Sequence, residues 1–269
     1  MRYFNTILLI CLLFVSTITA QIKVCSWNVE NIGKSKSEAD IEFIATILRD
    51  FDIVALQEVV AGYGGAQAVA KLADALNRKG AKWEYVVSEP TSGSTYKTER
   101  YAFLWKSHLL KIKGSPWLEK KYQLLIDREP FYATFKFGSK EFTLVNFHAI
   151  TKSKQPETEI KYFKFLPSQY PSLNLIFVGD FNCPQSHTVF FPLKKMGYES
   201  VFKNQKTSLK KVCKKGNCLA SEFDNIWFDG KKNKVVNRDV IHFYENFESL
   251  DEARKISDHI PIVVELEWL

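Results

Sequence analysis

The chain has 269 residues, of which 46% are hydrophobic and 25% charged, and it contains 21 phenylalanines. This composition can fill a large core, and no apolar run beyond residue 20 is long enough for a transmembrane helix, which excludes a multispan membrane protein. The formal net charge of +7 favours polyanionic partners without identifying nucleic acid, because many secreted proteins are mildly basic.

Residues 1–20 have the pattern of a secretory signal peptide. Arg2 supplies a positive start, residues 7–15 form an unbroken apolar run, and Ala20 ends a short Ser/Thr-rich exit. The alternative is a membrane anchor, but the apolar run is far shorter than the about 20 residues needed to span a bilayer. We therefore predict cleavage, a secreted (extracellular or periplasmic) protein without a membrane anchor, and a single domain over residues 21–269, since no linker or repeat interrupts that stretch.

Apolar patterns along the chain predict a mixture of strands and helices. Strands are predicted at residues 22–29, 53–56, 83–87, 101–105, 131–137, 142–147, 173–178, 223–228 and 260–266. Helices are predicted at residues 38–48, 66–79, 157–166 and 188–196, the last interrupted by Pro192. Because the two kinds of element do not strictly alternate, the order predicts packed mixed sheets covered by helices rather than a simple parallel sheet.

Four cysteines follow the predicted signal peptide, and four cysteines allow three complete pairings. We favour a bridge between Cys213 and Cys218, which would close a small loop around a turn at Gly216. Cys25 lies in an apolar strand and is as well explained as a buried free thiol. Cys183 could instead reach Cys218.

Polar residues recur where apolar strands end, which is where rigid elements present side chains to a site. These residues are Asn28, Glu58, His148, Asp180, Asn182, Asp224, Asp258 and His259. Asp180 and Asn182, two residues apart, could hold a metal ion and a phosphoryl oxygen, or could simply form a turn that closes the strand. Asp258 and His259 are suited to metal binding and proton transfer; the alternative is that they belong to a solvated loop without such a role.

Glu58 follows a buried apolar run and needs a compensating partner there, which could be a divalent metal or a salt bridge. The amide oxygen of Asn28 is a hard ligand suited to Mg²⁺, although a turn-capping role is the alternative. His148 ends a strand, where a single histidine is more often a satisfied polar residue than a catalyst. Each residue taken separately is therefore weak support for a site.

In combination and in this order, the residues resemble the endonuclease/exonuclease/phosphatase superfamily, and within it the deoxyribonuclease I group. The segments EYVVSEP (84–90), YKTERY (96–101), REP (128–130) and ISDH (256–259) carry the same resemblance, which runs from about residue 22 to residue 267. The resemblance implies a four-layer α/β sandwich, in which two mixed β-sheets lie face to face and are flanked by helices. It also implies hydrolysis of a phosphodiester that leaves a 5′-phosphate.

The resemblance assigns roles to individual residues. His259 is implied as the general base, oriented by Asp224, and His148 as the general acid, oriented by Glu99, although the order of the motifs leaves these two roles exchangeable. The implied metal residues are Asn28, Glu58 and Asp258, while Asp180 and Asn182 would hold the phosphate or a second metal. Arg128, Tyr96 and Asn182 are implied to contact the substrate.

These implied ligands are oxygen-rich, which favours Mg²⁺ or Mn²⁺ over zinc. A structural Ca²⁺ is also implied, and Glu129 lies in a matching stretch, but the sequence gives no full set of Ca²⁺ ligands. The implied partner is DNA, with RNA possible, and the implied state is a monomer.

Two departures from the family pattern concern DNA contacts rather than the chemistry. Val60 stands where an arginine that enters the groove is expected, and Thr98 is an extra residue that shifts Tyr96. A small cysteine loop expected before REP is also missing. Lysines 203, 206, 210, 211, 214 and 215 could supply another phosphate-contacting surface or form a solvated loop.

Two other functions remain as alternatives. Another hydrolase of the superfamily would act on sphingomyelin or phosphoinositides, and Glu99 and the REP segment favour the nuclease over it. A non-catalytic binder of extracellular DNA should have lost a histidine or a metal carboxylate, and none is missing here.

Overall fold

The computed structural model describes residues 21–93 and 98–269. The predicted signal peptide and Tyr96 therefore lie outside the described residues. The strands are β1 Gln21–Ile32, β2 Ile53–Val60, β3 Trp83–Val87, β4 Glu99–Lys106, β5 Leu110–Leu118, β6 Phe131–Phe137, β7 Lys140–His148, β8 Leu175–Asp180, β9 Tyr198–Ser200, β10 Leu209–Lys214, β11 Asn217–Leu219, β12 Asp224–Asp229, β13 Asn233–Val240 and β14 Ile262–Trp268. The helices are α1 Glu38–Leu48, α2 Tyr63–Asn77, α3 Glu157–Ile160, α4 Leu166–Gln169, α5 Phe191–Lys195 and α6 Leu250–Ile256, with 3₁₀-helices at Lys152–Lys154, Phe163–Phe165, Thr188–Phe190 and Phe243–Asn246.

The strands form two six-stranded mixed sheets. The first has the order β13-β14-β1-β2-β4-β3 and the second the order β5-β6-β7-β8-β12-β9. In each sheet one central pair is parallel, β1 with β2 and β7 with β8, and the other pairs are antiparallel. A separate two-stranded hairpin is formed by β10 and β11.

Three hydrophobic clusters follow from the alternation of side chains along the strands. In β1, Ile22 and Val24 face the cluster between the two sheets, whereas Cys25 and Trp27 face a cluster that includes residues of α1, α2 and α6. A third cluster packs residues of α3, α4 and α5 on the outer face of the second sheet. The layers are therefore helix, sheet, sheet, helix, and the predicted four-layer α/β sandwich of two mixed sheets is confirmed.

A buried polar contact joins the sheets at the centre. Gln57 donates to Asn146 Oδ1 at 2.7 Å, and Asn146 Nδ2 donates to the Leu56 carbonyl at 3.0 Å. Because β2 and β7 carry Glu58 and His148 one and two residues further on, this contact fixes the two sheets relative to each other directly below the candidate site.

The predicted strands are all present, but two predicted helices are divided and several further strands and one helix were not predicted. The helix predicted at 157–166 is divided into α3, a 3₁₀-turn and α4, because Pro167 cannot donate a backbone hydrogen bond and is accommodated only in a first helical turn. The helix predicted at 188–196 is a 3₁₀-turn followed by α5, again with a proline in its first turn. The sequence patterns missed β5, β9, β10, β11, β13 and α6.

A disulfide joins Cys213 to Cys218 across β10 and β11, as predicted. Cys25 and Cys183 are buried free thiols, so the alternative pairing of Cys183 with Cys218 was wrong. Among the described residues, no helix is long and apolar enough to cross a membrane.

Candidate active site

The candidate residues converge because β7 and β8 end, and β12 begins, at the same edge of the second sheet. In the register of β7, β8 and β12, Asp180 pairs with His148 on one side and with Asp224 on the other. Gly179 precedes Asp180 with a φ of +138°, and a Cβ there would lie 1.9 Å from the Phe147 carbonyl oxygen. Only glycine permits this approach of β7 to β8.

His148 and Glu99 form the first imidazole–carboxylate pair. His148 Nδ1 lies 3.0 Å from both oxygens of Glu99, and both side chains are buried. Arg128 Nη1 donates to Glu99 Oε2 at 3.2 Å, and its other nitrogens donate to the carbonyls of His148 and Ala149. Arg128, which the sequence suggested as a phosphate contact, thus holds this pair in place in the structure.

The hydroxyl of Tyr101 is a further support that the sequence patterns missed. It accepts from the His148 backbone N–H at 3.1 Å and donates to the Arg128 carbonyl at 3.1 Å. Tyr101 lies in the apolar strand β4 and is fully buried. No signal in the sequence separated it from an ordinary core aromatic residue.

His259 and Asp224 form the second pair. His259 Nδ1 lies 2.7 Å from Asp224 Oδ2, and Thr207 Oγ1 donates to the same oxygen at 2.6 Å. The Thr207 hydroxyl also accepts from the backbone N–H groups of Phe223 at 3.2 Å and Asp224 at 3.0 Å. The sequence patterns missed Thr207, because its segment was recognised only for its lysines.

Asp180 lies between the two histidines. Its Oδ2 atom is 3.5 Å from His148 Nε2 and 3.6 Å from His259 Nε2, and its Oδ1 atom accepts from the Asn182 backbone N–H at 2.8 Å. The side chain of Asn182 donates to the Ala149 carbonyl at 3.0 Å. The Nε2 atoms of both imidazoles therefore face one shared position, while both Nδ1 atoms are engaged by carboxylates.

Neighbouring carboxylates raise the pKa values of both imidazoles. Burial lowers the pKa of His259, but Asp224 and Asp180 more than offset it, so that the pKa lies well above its usual range. Burial and the nearby Arg128 lower the pKa of His148, but Glu99 and Asp180 together more than offset them, so that this pKa is also raised. Burial raises the pKa of Asp180, yet the two histidines bring it below its usual value.

Asn28 and Glu58 border the same position from the first sheet. Asn28 Nδ2 donates to Glu58 Oε1 at 3.0 Å and to Asp180 Oδ2 at 3.2 Å. Glu58 adopts a φ of +59°, and its Oε2 atom accepts from the Asn31 backbone N–H at 3.2 Å. A positive φ at a non-glycine residue costs of order 1–3 kcal/mol and is retained only where surrounding contacts enforce it.

These oxygens fit a hard divalent cation. Asn28 Oδ1 is buried without a hydrogen-bond partner, and rotating the amide by half a turn would exchange it with Nδ2. Oxygens of Asn28, Glu58 and Asp180 would then converge, which is the ligand type that Mg²⁺ and Mn²⁺ prefer. The described part of the chain also contains a group of Asp180, Asp224 and His259 with ligand atoms within 4.8 Å of one another.

Asp258 lies at the partly exposed rim of the site. Its Oδ1 atom is 3.9 Å from His259 Nε2, and its Oδ2 atom lies 3.4 Å from Arg254 Nη2. Glu30, which the sequence patterns did not select, is near both Asp258 and Glu58. Burial raises the pKa of Glu30, and the charges of those two carboxylates raise it further.

A cavity of about 230 Å³ lies beside the site, next to Glu58 and Glu99. Val60 and Arg128 line this cavity, and Val60 is 37% exposed. Glu129, the residue associated with a structural Ca²⁺, is buried away from it and accepts from the backbone and hydroxyl of Ser92. The Ca²⁺ site stays a prediction.

Comparisons with known proteins agree with this architecture. The sequence profile described as "Endonuclease/Exonuclease/phosphatase family" matches residues 25–259. The chain is 28% identical to deoxyribonuclease gamma of Rattus norvegicus, over 91% of this chain and 84% of that protein. It is 26% identical to a deoxyribonuclease of Thioalkalivibrio sp. (strain K90mix), over 97% of this chain and 75% of that protein. The human Nocturnin catalytic domain with a bound sulfate superposes with a TM-score of 0.66 at 17% identity, covering 94% of this chain and 96% of that one, and supports the fold alone.

Proposed function

The chain belongs to the endonuclease/exonuclease/phosphatase family, and we propose that it is a secreted, metal-dependent endonuclease that hydrolyses phosphodiester bonds in DNA to leave 5′-phosphates. Its similarity to deoxyribonucleases supports a nuclease among the hydrolases of this family. The observation that carries the proposal is the pair of buried imidazoles whose Nε2 atoms both lie close to Asp180 Oδ2, at 3.5 and 3.6 Å.

The proposed reaction needs one group that takes a proton from water and another that gives a proton to the departing 3′-oxygen. Since Nδ1 of each histidine is engaged by a carboxylate, Nε2 is the atom that exchanges the proton. In its neutral form, His259 accepts the proton from the attacking water at Nε2, and Asp224 stabilises the imidazolium that forms. His148, held by Glu99, donates its Nε2 proton to the 3′-oxygen. The 5′-phosphate leaves with the other fragment.

Other residues would orient the phosphate and hold the cation. Asn28, Glu58 and Asp258 are the proposed metal residues, with Asp180 and Asn182 positioned for the phosphate or a second ion. Mg²⁺ or Mn²⁺ bound there would supply positive charge against the extra negative charge of the transition state. Asp180 keeps both imidazoles directed at the reacting phosphate through its position between them.

The remaining parts of the proposal rest on the sequence and on relatives. DNA as substrate is supported by the names of the similar deoxyribonucleases, and RNA is a further candidate. Secretion is supported by the signal-like residues 1–20 and by the disulfide between Cys213 and Cys218. We also propose a single catalytic domain over residues 21–269 that acts as a monomer.

A digestion panel tests the proposal. The protein is incubated with duplex DNA, single-stranded DNA, RNA and sphingomyelin, each with Mg²⁺, with Mn²⁺ and with EDTA. We expect acid-soluble nucleotides from DNA in either metal and none in EDTA. Intact DNA in both metals would contradict the proposal, and release of phosphorylcholine instead would assign the chain to the lipid hydrolases of the family.

A further inference from the structure

A segment whose lysines take no part in the proposed reaction carries most of the net charge of the molecule. Residues 203–221, here called the lysine-rich segment, contain six lysines and no acidic residue. Six of the seven net positive charges of the chain therefore lie within this segment. The segment includes the hairpin of β10 and β11, which is closed by the disulfide between Cys213 and Cys218.

The base of the hairpin is attached to the second imidazole–carboxylate pair. Ser208 forms a β-bridge with His259, the Leu209 N–H donates to the Asp258 carbonyl at 2.7 Å, and the Ile260 N–H donates to the Thr207 carbonyl at 2.8 Å. The returning chain is fixed to the same point, since the Ala220 N–H donates to the Ser208 carbonyl at 2.7 Å. The lysines are therefore held at a defined place beside the candidate site.

The outer lysines of the hairpin are available to a ligand. Lys211, Lys214 and Lys215 are exposed, and within the described residues none of them has a side-chain hydrogen bond or an ion pair. Val212 between them is 71% exposed. At about 3.3 Å per residue, β10 extends about 17 Å from Leu209 to Lys214. One strand of duplex DNA presents a phosphate every 3.4 Å of helix axis, so this length corresponds to about five phosphates.

The charge of the site explains why such a surface is needed. The carboxylates of Glu58, Glu99, Asp180, Asp224 and Asp258 lie around the candidate site, and without a bound cation they repel an approaching polyanion. A basic surface fixed next to the site lowers the free energy of the bound polyanion through release of counterions. The segment therefore complements the site in charge and in position.

We propose that the lysine-rich hairpin is a duplex-DNA-binding arm that holds the phosphate backbone beyond the bond being cut. This inference rests on the proposed function, because it places the DNA across the candidate site. The disulfide keeps the short arm in one conformation, so less conformational entropy is lost when DNA binds. Contacts with the backbone carry no sequence information, and the arm strengthens binding to all sequences alike.

The test compares two triple variants that each remove three exposed lysines. Lys211→Gln, Lys214→Gln and Lys215→Gln alter the arm. The control carries Lys111→Gln, Lys136→Gln and Lys140→Gln; Lys140 starts β7, at the opposite end from His148. Fluorescence anisotropy with a labelled DNA duplex in EDTA measures the affinity of each full chain over a series of salt concentrations.

For the arm variant we expect the slope of log K against log salt to fall in magnitude by about 0.9 per lost phosphate contact, and the affinity near 0.15 M salt to fall roughly fivefold per contact. The control variant should bind within about twofold of the wild type, since its lysines lie away from the bound DNA. Equal losses in the two variants, or an unchanged salt slope in the arm variant, would overturn the inference.

Two activity measurements separate this inference from the proposed function. Hydrolysis of bis(4-nitrophenyl) phosphate should be the same in the wild type and both variants, because the lysines do not touch the reacting atoms. With duplex DNA and Mg²⁺, the arm variant should show a raised KM. If the wild type itself fails to cut DNA, the proposed function is wrong, while the binding comparison in EDTA still decides whether the arm binds DNA.

Discussion

Replacing Asp224 by asparagine tests the second imidazole–carboxylate pair most sharply. Asp224 Oδ2 accepts two hydrogen bonds, from His259 Nδ1 at 2.7 Å and from Thr207 Oγ1 at 2.6 Å. In the Asp224→Asn variant the amide presents either its oxygen or its NH₂ group to His259, but no negative charge. An NH₂ group there forces the proton of the neutral imidazole onto Nε2, which can then no longer accept one from water.

The expected loss in kcat is about 10³- to 10⁴-fold, similar to the effect of the same change in a serine–histidine–aspartate triad. This corresponds to about 4–5 kcal/mol of transition-state stabilisation. The assay is the initial rate of duplex DNA cleavage with Mg²⁺, together with circular dichroism to verify the fold. Asp229→Asn, at the other end of β12, is the matched control and should retain nearly full activity. A loss of less than tenfold in a folded Asp224→Asn variant would refute the pairing of Asp224 with the proton-accepting imidazole.

Three further predictions concern the metal, a buried hydroxyl and the free thiols. Glu58→Gln removes one anionic metal residue and should raise the Mg²⁺ concentration for half-maximal activity at least tenfold, measured by Mg²⁺ titration; an unchanged midpoint would exclude Glu58 as a ligand. Thr207→Val leaves the backbone N–H groups of Phe223 and Asp224 without this acceptor and removes one of the two hydrogen bonds to Asp224 Oδ2. Urea unfolding should therefore show a stability loss of about 1–3 kcal/mol and the cleavage rate should fall, whereas Thr207→Ser should keep both near the wild-type values. Burial raises the pKa of Cys183 to about 12 and that of Cys25 further, so alkylation at pH 8, mapped by mass spectrometry, should label both thiols only after denaturation; rapid labelling of the native protein would contradict their burial.

The sequence predicted the position of the candidate site better than its internal contacts. Apolar runs located β7, β8 and β12. The polar residues next to these runs meet because the three strands are neighbours that share one edge of the sheet. The pairing of His148 with Glu99 across 49 positions came from family likeness alone. Local patterns cannot specify such a contact, since it depends on how two sheets pack.

Other features were missed for physical reasons that the structure identifies. Tyr101 is an aromatic residue in an apolar strand, and only the position of its hydroxyl beside His148 distinguishes it. Strand β13 is largely exposed and polar, so it lacks the alternation of a half-buried strand. The helical spacing at 157–166 was real, but Pro167 and the packing of Phe163 against the second sheet divided that helix.

The most direct test of the central claim is an end-group analysis of duplex DNA digested by the wild type, by His148→Ala and by His259→Ala. We predict 5′-phosphate ends from the wild type with Mg²⁺ or Mn²⁺. Each variant should cut at least 100-fold more slowly, the usual contribution of a general acid or base, and should still bind DNA in EDTA. Cleavage at the wild-type rate by either variant would contradict the account, as would products carrying 3′-phosphates.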